Sequence, residues 1–329
     1  MPRFLLASLL ALTLLSCASP QTSRPNISND ALAQEQRRQS LFVLETRAAD
    51  FERVYNISER LSRSNAELCS DKTRAIGIRM ENLRNYPEDM RAIARDLWGI
   101  SDQPSINWVG EGTPAQLAGI RERDQILAVN GREIRKGNRS VSQAHDAIRD
   151  ALRDGPVALQ LLRGTENISV SVSPVEVCAY QVVLVDADEV NAAADGNSII
   201  LNRGMLRFAE SDEELALIIG HELAHNAMGH IDSMKQNAAV GAIAGGVVDV
   251  LFALGGVNTN GAFSDAGGDI GRRMFSQDFE SEADYVGIYF MARSGYETEG
   301  VETFWRRMAA ENPEGIRFAY THPNYAERF

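Results

Sequence analysis

The stretch Ser211-Asp212-Glu213-Glu214-Leu215-Ala216-Leu217-Ile218-Ile219-Gly220-His221-Glu222-Leu223-Ala224-His225 reads as a capped helix that ends in two histidines. Ser211 suits the N-cap, and Glu214 stands three residues on, as in a capping box. The apolar residues Leu215, Leu217, Ile218 and Ile219 then carry the helix to His221 and His225, four residues apart and therefore on one face. Imidazoles so placed converge on one ion, while Glu222 lies alongside to reach a water bound to it. Leu223 and Ala224 face the core. Two helix histidines meeting by accident would explain neither the cap nor the apolar helix that leads to them.

A catalytic zinc takes three protein ligands and keeps one position open. His230 follows His225 by five residues, where it points round the helix, and it reads as a polar contact rather than a ligand. Glu280-Ser281-Glu282-Ala283-Asp284 opens a second helix that runs towards Met291. Glu280 and Asp284 share a face, so Glu280 is the expected third ligand. Asp284 is then the group that hydrogen-bonds the distal ring nitrogen of a ligand histidine. Glu282 points away on that geometry; as the ligand it would deprive Asp284 of its supporting role. One Zn2+ per chain is the cofactor this constellation calls for.

With 329 residues, 44% hydrophobic and 24% charged, the chain has the composition of a soluble globular protein with room for two domains. A net charge of −12 excludes a nucleic-acid backbone as the main partner, because no cationic surplus exists to release counterions. Arg3 precedes an apolar run over residues 4–15, too short to span a bilayer as a mature helix but suited to a signal-peptide core. Its end, Leu14-Leu15-Ser16-Cys17, resembles the lipobox of bacterial lipoproteins. The resemblance implies a signal peptide over residues 1–16 and acyl chains on Cys17 that anchor the protein to a membrane. Ala18 after the cysteine, where Asp would retain the protein, points to the outer membrane and the periplasm. An ordinary signal peptide with an incidental cysteine is the alternative. Export leaves Cys69 and Cys178 as an even pair in an oxidising compartment, which favours a disulfide over two buried thiols.

Residues 17–40, rich in Ser, Asn, Gln and Pro, read as a tether. Over residues 41–75 an amphipathic helix is expected, with Leu41, Leu44, Phe51, Val54, Ile57, Leu61 and Leu68 at helical spacing, packed on the catalytic domain. A different texture follows: Asn130-Gly131 is a two-residue hairpin signal, residues 143–152 form a helix, and residues 157–162 and 168–172 alternate as strands. Gly112-Thr113-Pro114-Ala115-Gln116-Leu117-Ala118-Gly119-Ile120, followed by Asp124-Gln125-Ile126-Leu127-Ala128-Val129-Asn130-Gly131, resembles a PDZ domain of the bacterial kind. That implies a β-barrel or sandwich module over residues 76–175, with a peptide groove between a strand and the helix. The best match for its carboxylate-binding loop is Trp98-Gly99-Ile100, and His145 either lines the groove or is solvated on the helix. Residues 238–257 form a Gly-rich apolar run broken only by Asp249. Its length would span a bilayer, but a single crossing would strand the catalytic halves on opposite sides. A buried or membrane-touching helix near the active site is expected instead.

Jointly, the histidine helix, residues 280–284 and Thr321-His322-Pro323 with Arg328 six residues after His322 resemble the gluzincin zinc metallopeptidase family of the CAAX prenyl protease, HtpX and BepA. Val190-Asn191-Ala192, Ser198-Ile199-Ile200-Leu201 and Gly204-Met205-Leu206 resemble that family's edge strand and its return, with Ala193 where a longer apolar residue is common. The resemblance implies an α+β fold. Its zincin-type peptidase domain, mostly helical with a small sheet, would cover residues 176–329, and the PDZ-like module would be an insertion bounded by Cys69 and Cys178. A bridge between those cysteines would staple both ends of the insertion to the peptidase. The implied chemistry is metal-assisted amide hydrolysis with Glu222 as general base and His322 and Arg328 at the oxyanion or the open zinc position. Protein or peptide substrates would pair along Asn191, Ala192, Ala193 and Ala194. The implied role is an endopeptidase for misfolded or misassembled envelope proteins. The alternative, a peptide-binding or chaperone lipoprotein with a mainly structural zinc, has no use for the carboxylate of Glu222.

Overall fold

The computed structural model describes residues 27–254, 257–273 and 276–311; Cys17, His322 and Arg328 lie outside the described residues. The first helix, α1 (Asn29–Ser64), starts well before residue 41. Residues 29–40, expected as a tether without periodicity, are helical. They are mostly Ala, Gln, Glu and Arg, strong helix formers without an apolar stripe, so periodicity could not reveal them. The Ser28 hydroxyl accepts from the Ala31 N–H at 3.2 Å and caps the start. Further along, α1 turns Leu44, Val54, Ile57 and Leu61 into the core.

Cys69 follows α1 closely and is disulfide-bonded to Cys178, 109 positions away. Beside it, β1 (Lys72–Ala75) pairs antiparallel with β8 (Val175–Cys178), Lys72 opposite Cys178 and Ala75 opposite Val175. Between these strands lie β2 (Ile78–Glu81), α2 (Arg91–Trp98), β3 (Ser105–Val109), α3 (Pro114–Leu117), β4 (Gln125–Val129), β5 (Arg132–Glu133), α4 (Ser140–Asp154), β6 (Val157–Arg163) and β7 (Glu166–Val172). The sheet runs β2-β3-β4-β6-β7 with β5 hung on β4; it is open, with β2 and β7 at its edges, not a closed barrel. Asn130 and Gly131 take φ of 46° and 77°, the two left-handed residues that a tight hairpin turn between β4 and β5 requires. Along β6, Val157, Leu159 and Leu161 point inward and meet Ala144, Ala147, Ile148 and Ala151 of α4. Asp124, fully buried, is held by a bidentate pair from Arg163, Nε and Nη2 each 2.7 Å from a carboxylate oxygen.

A groove runs between β2 and α4, lined by Ile76, Ile78, His145 and Ile148, and also by Tyr55 and Glu59 of α1 and by Tyr180. The expected loop at Trp98-Gly99-Ile100 plays no part in it. Gly99 closes α2, Ile100 is buried, and the Trp98 ring lies 6.0 Å from Tyr86. Ala75, Ile76 and Gly77, which lead into β2, line the groove instead.

After β8 come β9 (Gln181–Val185), β10 (Ala192–Ala194), β11 (Ser198–Asn202), α5 (Arg203–Phe208), α6 (Asp212–Ala227), α7 (His230–Leu254), α8 (Ala262–Arg273), α9 (Ser276–Arg293) and α10 (Val301–Glu311). The small sheet has the order β10-β11-β9, with β11 parallel to β9 and antiparallel to β10, so β10 is an edge. Its inner face (Val182, Ile199, Leu201) shares one core with Ile57 and Leu61 of α1, Leu217 of α6, Phe290 of α9 and Phe304 of α10. The segments flanking the module thus build one core together, and the module has its own. The fold is α+β. Residues 238–254 of the apolar run belong to α7, which pairs with α8 as a hairpin; that stretch of α7 is not buried, which leaves the membrane-touching half of the expectation.

Candidate metal centre

Helix α6 is buried from Leu215 to Ala227, and its only polar side chains there are His221, Glu222, His225 and Asn226. Ser211 caps it, its hydroxyl accepting from the Glu214 N–H at 3.3 Å. The reciprocal bond of the box is displaced by one residue: the Glu214 carboxylate accepts from the Glu210 N–H at 2.8 Å. It also takes a bidentate pair from Arg307 of α10, at 2.8 and 2.7 Å. Helix α9 crosses α6 where two glycines meet. A Cβ on Gly287 would stand 2.8 Å from the His221 nitrogen, and one on Gly220 3.0 Å from the Gly287 carbonyl. Only backbone-to-backbone contact brings the carboxylates of α9 onto the histidines.

At that crossing His221, His225 and Glu280, all buried, turn their donor atoms together. The two Nε2 atoms are 3.1 Å apart, and the Glu280 oxygens Oε2 and Oε1 lie 3.4 and 3.3 Å from the Nε2 of His221 and His225. Tetrahedral bonds of about 2.0–2.1 Å place ligand atoms roughly 3.3 Å apart, so this donor triangle fits a zinc-sized ion with its fourth corner left over. Asp284 accepts from His221 Nδ1 at 2.9 Å, which fixes the tautomer that offers Nε2.

His225 is held by residues that periodicity did not single out as supports. Its Nδ1 lies 3.0 Å from Nδ1 of His230, whose Nε2 is 3.1 Å from Oε2 of Glu282. For His225 to offer Nε2, its Nδ1 must carry the proton and donate to His230, which then donates from Nε2 to Glu282. Glu282 turns away from the donor triangle yet serves it through this chain. The His230 ring also stacks on Phe279 with centroids 4.7 Å apart. Burial pushes the His225 and His230 imidazoles below their ordinary pKa, towards the neutral form that ligates or relays.

Glu222 is buried on the same turn as the ligands. Four residues on, along the same face as Glu222, buried Asn226 ties the small sheet to the site. Its Oδ1 accepts from the Gly196 N–H at 2.8 Å and its Nδ2 donates to the Ser198 carbonyl at 2.9 Å. This clamps the turn between β10 and β11. Ala192, Ala193 and Ala194 form β10, and Asn191 precedes it, its carbonyl accepting from the Asn202 N–H at 3.1 Å.

Residues 160–329 match the family described as Peptidase family M48, and residues 105–163 match a PDZ domain. The chain belongs to peptidase family M48. Among its relatives is the beta-barrel assembly-enhancing protease of Escherichia coli O157:H7, 25% identical over 204 residues, 59% of this chain and 41% of that protein. The mitochondrial metalloendopeptidase OMA1 of Schizosaccharomyces pombe is 30% identical over 138 residues, 40% of this chain and 39% of the relative. Metalloprotease LoiP of Escherichia coli K12 is 30% identical over 151 residues, 43% of this chain and 57% of its own length. The chain spans about two fifths of the length of the first two of these M48 relatives. A crystal structure of the HtrA3 PDZ domain, 26% identical, covers 32% of this chain and 88% of its own at a TM-score of 0.24.

Gly287, Asn226, His230 and Glu282 surround the donor triangle without having stood out in the sequence as its supports. Glycines and asparagines carry no metal signature, and His230 was legible only as a residue too close to be a ligand.

Proposed function

We propose that this M48 chain is a zinc-dependent endopeptidase of the bacterial cell envelope, acting on misfolded or misassembled proteins. The observation that carries the reading is the donor triangle of His221, His225 and Glu280, with each histidine oriented by its own hydrogen-bonded partner. A zinc ion held there supplies Lewis acidity and lowers the pKa of water. Glu222 takes the proton of the attacking water and hands it to the leaving amine. Edge strand β10 lines up substrate backbone beside α6, and alanine side chains leave room for varied sequences along it. His322 and Arg328 stabilise the oxyanion, and acyl chains on Cys17 hold the protein to the outer membrane facing the periplasm. The names of the relatives support the class of substrate: one acts in β-barrel assembly, another is a mitochondrial metalloendopeptidase.

Glu222→Gln tests this directly. Cleavage of casein should fall by at least about a thousandfold while zinc content by elemental analysis stays at one per chain. Undiminished cleavage by that variant would remove Glu222 from the chemistry. Full envelope function in cells without cleavage would favour the peptide-binding reading.

A further inference from the structure

The hairpin of α7 and α8 grows out of the metal site: α7 begins at His230, and α9, which carries Glu280, follows α8. Three features set it apart from a core element of a soluble protein. First, Val240, Ile243, Val247, Val250, Leu251 and Leu254, at helical spacing along one face of α7, are 57–80% exposed. That face is opposite to the one α8 covers. Second, the two helices touch through glycines spaced four apart on both. A Cβ on Gly241 or Gly267 would stand 2.0 or 2.1 Å from the other's carbonyl, and those on Gly245 and Gly271 would also strike backbone. Such packing holds helices together by close contact and needs no hydrophobic drive from water. Third, the one carboxylate in the apolar run is satisfied inside the hairpin. Asp249 accepts from the Thr259 hydroxyl and from the N–H groups of Phe263 and Ser264, at 3.2 and 2.8 Å for the latter two.

We infer that this hairpin lies on a phospholipid bilayer, with the outer face of α7 sunk into the headgroup–acyl boundary and α8 above it. A protein partner of that area would be expected to find hydrogen-bonding groups and a polar rim, roughly one hydrogen bond per 100–200 Å². Between Val240 and Leu254 the exposed stripe offers none, whereas lipid tails ask for none. Charge agrees. From 236 to 271 the chain holds no lysine or arginine, so no cation of that stretch has to leave water, and in the sequence cations stand only at its two ends, Lys235 before it and Arg272 and Arg273 after it. Asp265 and Asp269 belong to α8, the helix kept in water. Resting on the peptidase reading, the further consequence is that the site takes chain segments presented at a membrane surface, because His230 at the root of α7 touches His225.

The experiment places an environment-sensitive fluorophore on the full chain through Val247→Cys or, separately, Asp265→Cys, with Cys17→Ser in both. Vesicles of phosphatidylethanolamine and phosphatidylglycerol are then added. The label at 247 should shift to the blue, be quenched by spin-labelled lipid and become about tenfold less accessible to iodide, while the label at 265 stays open to iodide. Val247→Asp with Leu251→Asp should weaken vesicle binding at least about tenfold relative to the same background. Iodide access at 247 unchanged by vesicles overturns the proposal. So does shielding at 247 without lipid together with a dimer in solution, which would make a second copy the occupant. Lipid quenching at 265 would overturn the orientation. Casein cleavage, read in parallel without lipid, reports on the peptidase reading separately.

Discussion

The two histidines of the donor triangle differ in how they are held. His221 gives its Nδ1 proton to a carboxylate, Asp284, in one step; His225 gives its own to a neutral ring, His230, which passes the demand to Glu282. The second arrangement works only while His230 keeps an acceptor nitrogen towards His225. His230→Ala should therefore lower zinc affinity by about 10–100-fold, measured by competition with a chromophoric chelator. His230→Phe, which refills the space but cannot accept, should lose as much, and Glu282→Gln, which still accepts, should lose less. Wild-type affinity in both His230 variants would make that ring mere packing.

At the scale of elements, the site depends on how closely two helices cross. Glu280 and Asp284 reach the histidines because Gly220 and Gly287 let the backbones of α6 and α9 touch. Gly287→Val forces a Cβ to within 2.8 Å of the His221 nitrogen, so the helices must part. The expected result is a loss of about 1–3 kcal/mol in unfolding free energy together with weaker zinc binding. Gly246→Ala is the control, since its Cβ would meet only Ser264 Oγ at 3.9 Å. Equal stability and zinc affinity in Gly287→Val would show that the crossing has slack. The spacing of 280 and 284 was legible in the sequence, but this closeness was not. A glycine inside a helix reads as a weakness until its neighbour is known.

Across the whole molecule, the disulfide joins cysteines 109 positions apart and, with the β1–β8 pair, closes the loop of chain that holds the PDZ-like module. Replacing Cys69 and Cys178 by Ser should cost up to about 4–5 kcal/mol by the chain-entropy account, read as a lower denaturation midpoint. Peptide maps with and without reductant should differ by that one cross-linked pair; identical maps would mean the thiols are free. The sequence by itself determined the peptidase family and the class of the fold. Spacings of four along a helix, the hairpin Asn130-Gly131 and alternating strands are local rules, written in neighbouring residues. Only the tertiary structure decided that Ala75 to Gly77 line the groove, that His230 and Glu282 support His225, and that the described residues leave the apolar face of α7 bare. Each of these depends on which segment, distant in the chain, comes to rest against which, and no spacing rule carries that information.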